Sequence, residues 1–276
     1  MGAVLAAFFA AHRKRILAPL LRAYESGTGK RACSAPSVEP GAVQCAGHGH
    51  KSPVGGGLDL STQEELDRLL LTLDVSAFVD LPEKVQTMLE SVATDGATLG
   101  AEQLSGLMDQ EAFESLVKLV NERAVALAAE RSAAMVGMKW VDGVLIENPN
   151  AVWSIAEGTR ELIRSDVAQA LQEGWSNSRL ADALMDPDHA AFSEARANMV
   201  ARTELAKMDM EANAASWKES GLVEQKIWLL AQNPCDICEG NARQGPIPVN
   251  DAFESGDDAP PVHPNCSCDV AAVVPD

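Results

Sequence analysis

Cys235, Cys238, His263, Cys266 and Cys268 all fall within residues 235–268, a clustering that suggests a metal knot. The order is Cys235-x2-Cys238, a gap of twenty-four residues, then His263-x2-Cys266-x-Cys268. Two cysteines two residues apart grip one ion from a tight turn, and two further ligands arrive from a second turn. Thiolate and imidazole donors in tetrahedral geometry suit Zn2+. Five donors compete for four positions. The set read here is Cys235, Cys238, Cys266 and either Cys268 or His263, the fifth being a bystander or a group that steadies a ligand. Reduced thiols or a disulfide are the alternative use of the same residues.

Two other chemistries use Cys-x-x-Cys. A thioredoxin-like pair opens a helix after a strand in a βαβ unit. Here Gly240, Pro246 and Pro248 follow, and no crossover helix is expected. A zinc deaminase pairs Pro-Cys-x-x-Cys with an upstream His-x-Glu or Cys-x-Glu, which supplies the third ligand and the general acid/base. Pro234-Cys235-x-x-Cys238 matches one limb only: His189 is followed by Ala190-Ala191, and the nearest upstream cysteine is Cys45. There is no Gly-x-Ser-x-Gly, no phosphate-binding Gly-x4-Gly-Lys-Ser/Thr and no His-Glu-x-x-His. No catalysis is expected. The rival class is a metal-dependent hydrolase or nuclease, which needs an open metal position and a nearby carboxylate base; the sequence identifies neither. A second collection, Cys33, Cys45, His48 and His50, sits in a Gly/Ser/Pro-rich stretch without knuckle spacing and reads as incidental to a loop.

Strands must hold such a knot. Leu222–Leu230 reads as one strand and Asp269–Val274 as a second, with Pro and Gly dense between them. So small a segment has little core, and a cross-link between its ends would matter. Upstream, helical signals dominate. Ser61-Thr62-Gln63-Glu64 is a capping box ahead of Leu66, Leu69, Leu70 and Leu73. Pro82 suits a first helical turn. A long helix is predicted over Asp109–Val136, with Phe113, Leu116, Val117, Val120, Ala124 and Leu127 as its stripe. Asp142-Gly143 between apolar pairs predicts a hairpin near 139–146. Further helices are predicted over Asn150–Glu173, Ser178–Met185 and Asp188–Ser220, stopped by Gly174 and Gly221.

The fold class expected is mainly α with a small β-containing, cysteine-rich C-terminal subdomain (α+β). The divisions are an amphipathic N-terminal helix over 1–26, a flexible linker over 27–58, a helical region over 59–148, a second helical region over 149–221, and the Cys/His-rich β subdomain over 222–276.

Of 276 residues, 22 are Lys or Arg and 40 are Asp or Glu, a net charge of −18. That balance argues against general nucleic-acid binding, which needs basic surface. Residues 1–56 carry +5 and the rest −23, so the basic head suggests docking by charge complementarity. The apolar run Ala3–Ala11 is too short to span a bilayer, and its positive residues follow it, unlike a secretory signal. Leu5, Phe8, Phe9, Ile16, Leu17, Leu20 and Leu21 recur at helical spacing, with Pro19 as a kink. This reads as a docking helix; membrane contact is the lesser alternative. A reducing cytoplasm is the expected compartment, which favours metal over structural disulfides.

Arg196-Ala197-Asn198-Met199-Val200-Ala201-Arg202-Thr203-Glu204 resembles the Arg-Ala … Ala-Arg-Thr-Glu core of the phage Mu F-like minor head proteins. Trp228, the pair Cys235 and Cys238, and Pro260-Pro261-Val262-His263-Pro264-Asn265-Cys266-Ser267-Cys268 continue that family's order over roughly 150–270. Ser267 stands where the family usually has Arg. The resemblance implies a phage or prophage head-morphogenesis protein: a low-copy structural component acting in head assembly, DNA packaging or DNA delivery. It implies the portal protein and the major capsid protein or scaffold as partners, packaged DNA only indirectly, and a place in the virion head and in the host cytoplasm during assembly. It also implies that the cysteines and histidine are metal ligands. A membrane-active ejection protein is a further alternative, resting on the N-terminal helix alone. From the residues themselves, Arg202, Thr203 and Glu204, with Arg196 one and a half turns earlier, read as a polar latch between the long helix and the cysteine subdomain. The plainer alternative is an exposed Arg and Glu on an ordinary helix.

Overall fold

The computed structural model describes residues 1–27, 63–151 and 153–274. The expected linker beyond Gly27, its Cys33, Cys45, His48 and His50, and the capping residues Ser61 and Thr62 lie outside the described residues. The architecture is mainly α with two small antiparallel sheets, an α+β fold.

Several of the helices begin where a side chain accepts from an open backbone N–H. Helix α1 (Gly2–Gly27) continues through Pro19. Helix α2 is Gln63–Leu70, and α3 (Leu81–Glu102) carries Pro82 in its first turn. Helix α4 (Gln110–Ala134) starts after Asp109, whose carboxylate accepts from the Ala112 N–H at 2.9 Å. Strands β1 (Met138–Val141) and β2 (Val144–Glu147) form the expected hairpin, and Asp142 and Gly143 take the two positive φ values its turn needs. Helices α5 (Ile155–Glu173), α6 (Asn177–Met185) and α7 (Glu194–Ser220) are capped by Ser154, Ser176 and Ser193. The expected starts at Asn150 and Asp188 are therefore several residues early: in each case a serine hydroxyl further along accepts from the N–H of the third helical residue, and turns precede it. Gly174 and Gly221 close α5 and α7 in the left-handed conformation.

Helix α7 is the axis of the molecule. It packs against α1, α3 and α4, and its first two-thirds lies in a core built from α1 to α7. Leu5, Phe8, Phe9, Ile16, Leu17, Leu20 and Tyr24 of α1 are all buried in that core. This corrects the docking-helix reading. The apolar face of α1 is used inside its own chain, and burying seven such side chains stabilises far more than a surface contact would. Part of its basic head is likewise met internally: Arg13 donates to the Asp186 carbonyl, and Arg15 pairs with Asp74 and bonds Ser76.

The last quarter of the chain builds a second core. Strand β3 (Gln225–Leu229) is central, flanked antiparallel by β4 (Ile247–Pro248) and β5 (Asp269–Val273). Between β3 and β4 lies α8 (Asp236–Arg243). Trp217 and Ala214 from the end of α7, Leu104, Trp228, Val249, Phe253 and Val270 form the apolar cluster, with Cys238, Cys266 and Cys268 as members.

Candidate metal centre

Strand pairing assembles the cysteine site. The register runs from Gln225 opposite Val273 to Leu229 opposite Asp269. Cys268, one residue before β5, is thereby set beside the chain leaving β3. The Ala231 N–H points at the Cys268 sulfur, 3.4 Å away. Four residues later the chain turns into α8, and Cys235 is its N-cap, its sulfur accepting from the Cys238 N–H at 3.5 Å. One turn into the helix, Cys238 faces inward and is fully buried.

The second arm arrives from the other side. The Cys266 N–H donates to the His263 carbonyl at 3.1 Å, and Asn265 takes a positive φ of 61°, which tightens that turn. Cys266 Sγ then lies 3.6 Å from Cys238 Sγ. Four sulfurs about 2.3 Å from a central ion would sit about 3.8 Å apart, so this spacing fits a tetrahedral zinc-type ion. Two groups of donors have mutual distances within 4.8 Å: Cys235, Cys238 and His263, and Cys238, Cys266 and Cys268. All five sequence candidates are thus brought together, with Cys238 common to both groups.

Electrostatics divides the thiols. The backbone N–H groups at the start of α8, led by that of Cys238, hold Cys235 below the usual thiol range. Burial pushes Cys238 up, reinforced by thiol contacts with Cys268, Cys266 and Cys235. An ion at the centre would have to displace the proton of each sulfur. His263 Nδ1 lies 2.9 Å from the Pro264 carbonyl. A carbonyl only accepts, so Nδ1 carries the proton and Nε2 is the free acceptor. A cavity of about 210 Å³ adjoins the cluster, lined by Gln232, Asn233, His263, Asn265 and the four cysteines among others.

The four residues read as a latch go to four different places. The Asn265 N–H donates to Thr203 Oγ1 at 3.1 Å, so Thr203 does join α7 to the cysteine turn. Glu204 instead receives a two-pronged pair from Arg131 of α4, at 2.6 Å on each carboxylate oxygen, with both side chains buried. Arg202 is exposed. Arg196 is buried against the Phe9 ring and donates to the Ile155 and Ala191 carbonyls and to Thr159 Oγ1. Burial lowers its pKa to about 10. Consecutive helical residues are about 100° apart, so Arg202, Thr203 and Glu204 fan around α7 and cannot share one partner.

The sequence reading excluded a crossover helix after the Cys-x-x-Cys but did not foresee the short helix α8. Pro246 and Pro248 come after the helix has ended at Arg243, and Gly240 is tolerated in two turns. The signal was present: Asp236 and Glu239 in the first turn and Arg243 in the last complement the helix dipole. The helix is no βαβ crossover, since β3 pairs antiparallel with both neighbours.

Residues 161–271 match the family model described as Phage Mu protein F like protein. This segment is Mu F-like. The Mu F-like segment covers less than half of the chain: most of α5, then α6, α7, the β sheet and every candidate ligand. It therefore unites the long helix and the cysteine knot that docks on it through Thr203. No curated protein and no solved structure matches the chain.

Proposed function

We propose that the chain is a minor head protein of a tailed phage or prophage, a low-copy structural component that acts without catalysis in head assembly, DNA packaging or DNA delivery near the portal. The observation that carries the reading is the Mu F-like segment, 161–271, in which the family's helix and its cysteine knot form one packed unit. The portal protein and the major capsid protein or scaffold are the partners this family suggests. Packaged DNA would be met only indirectly, since a chain of net charge −18 has little attraction for phosphate. Among the described residues no helix is long and apolar enough to cross a membrane, and Phe8 and Phe9, on which a membrane-active reading would rest, are buried.

The metal in this reading is a structural Zn2+ that ties β3 and β5 together at their open ends. The cavity beside the cysteines has no carboxylate in its described lining, which supports a structural over a hydrolytic role. Mass spectrometry of purified particles from the producing strain tests the assignment. The expected result is this chain at low copy beside the portal. Its absence from both mature particles and precursor heads overturns the reading and brings the metal-dependent hydrolase forward.

A further inference from the structure

The five donors are not equivalent, and the geometry selects among them. Cys238 is the hub: it is fully buried, and its sulfur lies within 4.8 Å of those of Cys235, Cys266 and Cys268. Cys266 and Cys268 are buried with it, at 6% and 9% exposure, as members of the second apolar core. Each outer sulfur also has a backbone donor aimed at it, Ala231 N–H on Cys268 and Cys238 N–H on Cys235. Such N–H···S contacts stabilise a thiolate more than a thiol, because the acceptor carries the full charge. His263 is different. It is part-exposed and lies outside the mutually close group Cys238, Cys266 and Cys268, whereas Cys268 is buried within that group.

We infer that the ion is held by four thiolates, Cys235, Cys238, Cys266 and Cys268, and that His263 stands outside the coordination shell, steadying the turn that delivers Cys266. The inference rests on the metal reading above and settles its open choice. The deciding consideration is what each set does with the spare donor. A set with His263 in place of Cys268 would leave Cys268 a neutral buried thiol, so the Ala231 N–H would face a weak acceptor where a ligated thiolate would be a strong one. A set with Cys268 leaves a part-exposed imidazole that water can solvate. Four thiolates and a divalent ion carry a net charge of −2. The N–H groups opening α8 and the Ala231 N–H lie where they offset it. Four sulfurs also saturate a tetrahedral ion, leaving no position for water or substrate, as a purely structural ion requires.

X-ray absorption on the zinc form of the full chain, purified under reducing conditions, counts the neighbours without any substitution. Four sulfurs at about 2.3 Å are expected; three sulfurs and one nitrogen at about 2.0–2.1 Å overturn the assignment. Cobalt(II) replacement adds a test by variant, since sulfur-to-cobalt charge-transfer absorption grows with each thiolate. His263→Gln is expected to keep the wild-type spectrum and one equivalent of cobalt. Cys268→Ser is expected to lose one thiolate's share of the absorption and to bind more weakly. A His263→Gln protein with an altered spectrum overturns the four-thiolate set and leaves the metal reading standing. A wild-type chain that retains neither zinc nor cobalt overturns both.

Discussion

Three neighbouring residues on α7 show how far one position separates a structural role from none. Glu204 is buried and forked onto Arg131, so removing its charge strands a guanidinium inside the core. Glu204→Gln is expected to cost about 3–5 kcal/mol, the usual consequence of breaking one side of a buried pair. Thr203→Val removes the hydroxyl that accepts from Asn265 and is expected to cost about 1–2 kcal/mol, with the helices otherwise unchanged. Arg202→Ala, on the exposed face, is expected to fall within about 0.5 kcal/mol of wild type. Urea denaturation of the three variants checks the order. The sequence marked this run as unusual, because polar residues interrupt an Ala- and Met-rich stretch. It did not assign the partners, since Arg131 lies 73 positions away and nothing local points to it.

At the scale of elements, the contact between α3 and α7 is set by two glycines. A Cβ at Gly96 would lie 2.6 Å from the Asp209 carbonyl oxygen, and one at Gly100 would lie 2.8 Å from that of Asn213. Both obstacles are backbone, so neither can swing aside. The same closeness lets the Ser216 hydroxyl reach the Ala97 carbonyl across the interface at 2.7 Å. Gly100→Ala is therefore expected to lower stability by about 1–3 kcal/mol, even though alanine is the better helix former by about 1 kcal/mol. Gly106→Ala, with nothing within 4 Å of the added carbon, serves as the control and is expected to be near neutral. Thermal melting of the two variants separates the outcomes. The hairpin and the helix stops at Gly174 and Gly221 were legible because each depends on residues close in sequence, whereas β4 and the order of the second sheet were not. The helix opened by Cys235 was obscured by prolines that act only beyond its end.

The whole molecule has two cores joined along α7, and the second contains a buried charge. Lys226 is enclosed in the central strand, and its ammonium donates to the Asp258 carbonyl at 2.9 Å and to its carboxylate at 3.3 Å. Burial lowers the Lys226 pKa, and the attraction of Asp258 only partly restores it. Burial also raises Asp258, but the Lys226 and Lys218 ammoniums outweigh it and hold the carboxyl below the usual range. A carboxyl whose pKa is depressed on folding stabilises the fold fully above its unfolded value of about 3.9. That stability disappears as pH falls through the lower, folded value. Asp258→Asn is expected to be less stable than wild type near neutrality and to lose less on acidification, the two curves converging once pH has fallen below the depressed folded value. Urea midpoints across pH 2–7 measure this; parallel curves would show that the pair contributes nothing.

The sequence by itself determined what depends on short-range pattern: the helical body, the hairpin at Asp142-Gly143, the two strands around the knot, the five metal-binding candidates, and the Mu F-like signature. The tertiary structure alone decided what depends on distant residues meeting. Helix α1 proved to be core because α7 covers its apolar face. Glu204 turned to α4 and Thr203 to the cysteine turn because a helix spreads neighbours around its axis. Cys268 was separated from His263 by burial and by a backbone donor four residues ahead of Cys235. Periodicity records which face of an element is apolar, but what covers that face is a property of the whole chain.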